Sequence, residues 1–241
     1  MSVSLKPLGL AVALALLAGC NPSAPAASAD AATAPDAASA PAPATESPAP
    51  TAATTAADAT PAPAAPQLQA AMRDLWHGHI VHARDYALAV HAGDKAAAKA
   101  ANDAVVANAK DIGKAVGGFY GDAAGDGMFK LLGGHWGAVK AMTDARAKND
   151  KAGADKAMAD LTANAGEIAK FLAGANPNLP EDTVRGLLLA HGAHHSSQIN
   201  LIMSGDTAGE ATEWTAMQAH MDMIADALAG AIAKQFPDKA N

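Results

Sequence analysis

The chain is poor in the residues that usually announce catalytic chemistry or a β-rich core. It holds one cysteine, Cys20, in 241 residues, which excludes disulfides within the chain and any Cys-based zinc or covalent-haem motif. Runs that alternate β-branched and polar residues are missing, so nothing reads as a strand, and a glycine-rich phosphate loop has no strand to follow. There is no His-Glu-x-x-His, and no Glu lies three residues before any histidine, which removes the carboxylate pattern of di-iron bundles. Ser196 and Ser197 lack a nucleophile-elbow context. Basic residues are also scarce, 17 against 24 acidic ones, and an acidic chain argues against nucleic acid or an anionic lipid surface as partner.

The apolar run from Leu8 to Ala18 follows a lone lysine, Lys6, with no acid before Cys20. It is too short to span a bilayer and suits a secretory signal. It ends in Leu16-Leu17-Ala18-Gly19-Cys20, which resembles the lipobox of bacterial lipoproteins. That resemblance implies cleavage after residue 19, acylation of the Cys20 thiol, and a membrane partner reached through the lipid anchor. The expected location is the bacterial cell envelope, and Asn21 in place of an aspartate favours the periplasmic side of the outer membrane. Residues 20–66 hold the lipidated cysteine and a stretch of Ala, Pro, Thr and Ser with four acids and no Lys or Arg. Such a composition is expected to stay disordered. Its last 46 residues form a tether of roughly 40 Å as a coil and about 140 Å fully extended.

Residues 67–241 carry the 3.6-residue apolar period throughout, which predicts an all-α domain of six helices. The expected helices run over about 67–92, 95–120, 128–148, from 151 to the loop at 176–180, 181–204 and 208–236, with residues 121–127 as a glycine-rich turn. A period of 56 residues runs through them. It relates Leu75, Leu131 and Leu187; His79, His135 and His191; and Asp94, Asp150 and Asp206. Residues 94–118 and 150–174 share 11 of 25 positions, six of which are not alanine, so composition is a poor explanation. The domain therefore reads as three tandem helical hairpins.

In a hairpin, residues equally distant from the turn lie at one height. His79 stands 14 residues before Gly93 and Asn108 stands 15 after it, so the two should face each other. His135 should face Asn164, and His191 should face His220. If the three hairpins close around an axis, His79, His135 and His191 converge there, with His220 as a fourth nitrogen. His195, one helical turn beyond His191, can point at the same ion. Imidazoles at one level suit zinc or copper, and Asn108 and Asn164 would orient the rings from outside. Met72 and Met128 fall at matching positions and would suit Cu(I), although methionines on an apolar stripe normally pack.

Two other readings compete. Stacked open, the hairpins would hold equivalent histidines 8–10 Å or more apart, and the His-Asn pairs would only satisfy one another inside a structural or interaction module. A b-type haem held by His and Met is the second alternative. The motifs Leu75-Trp76-x-x-His79, Asp111-Ile112-Gly113 leading to Tyr120-Gly121, and Gln235-Phe236-Pro237 make the domain similar to a group of small, uncharacterised bacterial helical proteins, a resemblance that lends no activity. On these grounds the chain is expected to bind copper or zinc for storage, buffering or transfer, without catalysis.

Overall fold

The computed structural model describes residues 65–240. The leader, the lipidation residue Cys20 and nearly all of the tether lie outside the described residues. Six helices account for almost all of the rest: α1 (Pro66–His91), α2 (Lys95–Tyr120), α3 (Asp122–Ala147), α4 (Lys151–Ala175), α5 (Glu181–Ser204) and α6 (Thr207–Gln235). Among the described residues there is no strand, and no helix is long and apolar enough to cross a membrane.

Local chemistry sets the breaks between α1 and α2, α3 and α4, and α5 and α6. Gly93, Asn149 and Gly205 take left-handed backbone with φ of 71°, 58° and 74°, a conformation that glycine and asparagine tolerate best. The next residue in each case is an aspartate. Asp94 accepts hydrogen bonds from the Ala96 and Ala97 amides, Asp150 from Gly153, and Asp206 from Gly209, which gives otherwise unbonded amides a partner. At the α4–α5 break Asn176 and the residues up to Pro180 end one helix and start the next.

The bundle closes on itself. Each helix packs on its neighbours in the chain, and α6 packs back on α1. In addition α1, α3 and α5 touch one another, so these three form the inside, and α2, α4 and α6 cover the grooves between them. Closure lets each amphipathic helix bury its stripe without an open end to the stack.

The expected turn over residues 121–127 is instead the first turns of α3, which begins at Asp122. Its glycines serve close packing. A Cβ on Gly125 would fall 2.7 Å from the Gly113 carbonyl oxygen, and one on Gly127 would meet the Phe171 ring at 3.1 Å. Only Gly121, with φ of 91°, marks the sharp break there.

Two apolar clusters fill the interior. One gathers Met72, Trp76, Ile80, Met128, Leu132, Val184 and Leu188 with residues of the outer helices, and the other gathers Ala83, Tyr86, Trp136, Val139, Ile199 and Ile202 with theirs. Along α1, α3 and α5 the members of the first cluster precede those of the second, and the inner histidines lie at the junction. The methionines Met72, Met128, Met217 and Met221 belong to the first cluster, where they pack.

Candidate metal centre

Each inner helix brings a histidine to the junction, and α5 brings two. His79, His135, His191 and His195 are exposed by 2%, 4%, 2% and 2%. One ring nitrogen from each belongs to a set whose members all lie within 4.8 Å of one another. Ring centroids are 5.4 Å apart for His79–His135 and for His135–His191, 5.8 Å for His79–His191, and 4.4 Å for His191–His195.

The hydrogen bonding of these rings is incomplete. His195 and His191 share one contact, Nε2 to Nε2 at 3.0 Å, in which one ring donates and the other accepts. Both nitrogens of His79, Nε2 of His135 and Nδ1 of His191 are buried with no protein partner. Buried polar atoms are normally bonded, because an unmade bond costs about 1–3 kcal/mol. A neutral ring has one donor nitrogen and one that carries a lone pair, so each of the four rings can offer one lone pair, and together they could hold a metal ion.

The electrostatics keep the rings neutral. Burial lowers His79 to about 3, helped by the nearby His135 and His82. Burial lowers His135 to about 4. His191 and His195 also lie well below the ordinary range, through burial first and then through the neighbouring histidines. Neutral imidazole is the ligating form, and a tetrahedral ion with bonds of about 2.0–2.1 Å needs nitrogens about 3.4 Å apart. The His191–His195 pair, at 3.0 Å, already lies near that spacing.

No family model, no curated protein and no solved structure matches this chain.

His220 is not a member of the four-nitrogen set. Its ring stacks 6.3 Å from that of His191, and its Nε2 donates to the Leu187 carbonyl at 2.9 Å. The fourth nitrogen is therefore that of His195, because a residue one turn along an inner helix stays inside, whereas His220 comes from the outer helix α6. Asn108 and Asn164 differ from expectation in the same way. Asn108 Nδ2 donates to the Leu75 carbonyl at 2.9 Å and Asn164 Nδ2 to the Leu131 carbonyl at 3.0 Å, so neither amide N–H group reaches a histidine. In all three cases the acceptor lies four residues before the inner histidine of the partner helix. Glycine makes room for the two amides: a Cβ on Gly78 would stand 2.8 Å from Asn108 Nδ2, and one on Gly134 would stand 3.0 Å from Asn164 Nδ2.

The other histidines face outward. His77 meets Asp222 at 2.9 Å, His82 approaches Asp85 at 4.0 Å, and His91 is exposed. His194 Nδ1 meets Glu213 Oε1 at 2.5 Å, and Glu213 also accepts from Ser197 Oγ at 2.8 Å. Sequence reasoning passed over Glu213 and the buried Glu210, because an acid on a helix reads as solvated. Glu210 accepts two bonds from Arg84, at 2.7 and 2.9 Å, and one from Gln198 at 3.1 Å, which together with its charge partner hold its carboxyl below the usual range. The signal for it was Gln198, a buried-stripe polar residue three positions after His195.

Proposed function

We propose that the helical domain binds one transition-metal ion, copper or zinc, through His79, His135, His191 and His195, and that it stores, buffers or transfers that ion. The observation that carries this reading is the set of buried ring nitrogens without protein partners in a group of four neutral imidazoles. All-nitrogen donation suits zinc and copper better than magnesium or calcium, which prefer oxygen. Asn108 Oδ1 and Asn164 Oδ1 are also buried without partners.

We read residues 67–241 as three tandem hairpins related by the 56-residue period, with three equivalent clasps of an outer side chain on a leucine carbonyl. We read residues 1–19 as a lipoprotein signal and residues 20–66 as an acylated cysteine with its tether, which puts the domain on the periplasmic side of the outer membrane. Cys20 directly after Leu16-Leu17-Ala18-Gly19 supports the anchor, and Asn21 in place of an aspartate favours the outer membrane. Loss of membrane fractionation in Cys20→Ser would be the expected result, and unchanged fractionation would refute the anchor.

The competing structural reading needs the asparagines to satisfy the histidines, and their amides are spent on leucine carbonyls instead. Haem gains nothing from rings 4.4–5.8 Å apart, since a macrocycle would have to part them.

The test is a titration of the full chain carrying Cys20→Ser with Zn(II), Cu(II) and Cu(I), beside a folded His79→Ala/His135→Ala/His191→Ala variant. Tight binding of one equivalent, lost in the variant, is expected. Equal binding by both proteins, or none by either, refutes the site.

A further inference from the structure

A second group of histidines lies between the four-histidine set and the surface. The His194 and Glu213 side chains keep 26% and 16% exposure, while His220 is 6% and His191 2% exposed. The His194 ring centroid is 5.0 Å from that of His220, and the His220 ring stacks 6.3 Å from that of His191. Imidazoles thus step inward from the surface to the buried set.

Their hydrogen bonds determine which nitrogen carries the lone pair. A carbonyl only accepts, so His220 Nε2 carries the proton that it gives to Leu187, and in the neutral ring Nδ1 is the donor atom for a metal. His194 Nδ1–H likewise donates to the Glu213 carboxylate, which leaves Nε2 of the neutral ring as the ligand atom. Histidines that bind metals characteristically give their other N–H to a carboxylate or a backbone carbonyl, and here one ring has each.

Position 220 also differs from its counterparts 56 and 112 residues earlier, Asn164 and Asn108. The residue under those amides is Gly134 or Gly78, whereas the equivalent residue beneath His220 is Ala190. A Cβ there accounts for the absence of the shorter asparagine. It does not account for His194 and Glu213 beside the ring.

Resting on the metal reading above, we infer that His194 and His220, oriented by Glu213 and the Leu187 carbonyl, form an outer two-histidine station for a divalent transition-metal ion and pass it to His191 of the buried site.

The test exploits the clasps of the other two hairpins. The double variant Ala190→Gly/His220→Asn rebuilds the Gly78–Asn108 and Gly134–Asn164 arrangement, so it keeps the carbonyl bond and removes the imidazole. Loading of the full chain carrying Cys20→Ser with Zn(II) is followed by stopped flow, with the affinity measured separately at equilibrium. Loading at least about tenfold slower, with unchanged affinity, is expected for the double variant and for His194→Gln, since association rates vary over about one to three decades among variants of one site. Glu213→Leu, which alters no ring and removes the acceptor of His194 Nδ1, should also slow loading and serves if the double variant does not fold. His82→Ala, which removes a half-exposed histidine three residues after His79, should load normally.

Unchanged rates in the His194, Glu213 and His220 variants, with tight binding intact, would overturn the station while leaving the buried site standing. Slow loading in His82→Ala alone would overturn it too. An affinity that falls in step with the rate in the double variant would make His220 a ligand of the inner site and contradict the relay. No binding by the parent protein would instead refute the metal reading from which the relay starts.

Discussion

The bundle buries two sets of polar groups within a turn of each other and treats them in opposite ways. At the clasps every outer donor has its acceptor: Asn108 with the Leu75 carbonyl, Asn164 with Leu131, and His220 with Leu187. One turn along the same inner helices, four ring nitrogens of His79, His135 and His191 have no protein partner, and His191 and His195 share one bond. The first arrangement is what holding six helices in register requires. The second costs stability, and a ligand that takes nitrogen lone pairs would offset that cost. The clasp donors and the histidine nitrogens thus differ in their partners, although the Asn108 and Asn164 Oδ1 atoms are buried without one as well.

Acid should strike the histidine level hardest. In the unfolded chain these rings take up protons below about pH 6.5, whereas His79 and His135 in the fold stay neutral down to about 3 and about 4. The unfolded state binds more protons, so stability is full above pH 6.5 and falls as pH drops toward those lower values. By linkage, the metal-free protein should lose about 2 kcal/mol for each of His79 and His135 between pH 7.5 and pH 5, with His191 and His195 adding in the same direction. Urea unfolding at several pH values measures this, and a flat profile across that window would mean that the rings are not held neutral.

Metal should act on the same level and leave the clasps alone. At a free ion concentration of 100 times the dissociation constant, the protein should gain about 2.7 kcal/mol. His135→Leu should abolish that gain while leaving the metal-free protein as stable as the parent or more so, because it removes a buried nitrogen without a partner. A large loss of metal-free stability in His135→Leu would instead make the ring structural.

The clasps should behave in the reverse way. Asn164→Ala should cost about 1 kcal/mol in chemical denaturation and leave the metal-induced gain in place. The smallest effect concerns the glycine beneath the clasp. Gly78→Ala should change stability little in the parent, because the loss of the Asn108 bond offsets the better helix former. In an Asn108→Ala background the same change should stabilise by about 0.5–1 kcal/mol. Additive effects across that double-mutant cycle would remove the proposed contact between the two positions.

Much of this was legible from residue order alone. The all-α class, the second and fifth helices and the caps at Asp94 and Asp150 follow from period and turn chemistry, both of which are local. Counting from the turns placed His79, His135 and His191 at one height, and the closed packing brings them together. Height did not tell which way a side chain reaches. Asn108 and Asn164 stand beside the histidines and bond to the backbone, and His195 reaches the centre where His220 does not. The start of α3 was hidden for another reason. Gly125 and Gly127 look the same in sequence whether glycine breaks a helix or lets two helices approach. Glu213 gave no signal because its partner His194 lies on another helix, and the pointer to Glu210 was Gln198 on α5.

The most direct test of the central claim is X-ray absorption on the Zn(II)-loaded chain carrying Cys20→Ser. Four nitrogen neighbours at about 2.0–2.1 Å, with the outer scattering typical of imidazole, are the result expected from His79, His135, His191 and His195. Sulfur from a methionine in the coordination sphere, or fewer than three imidazoles, would contradict it.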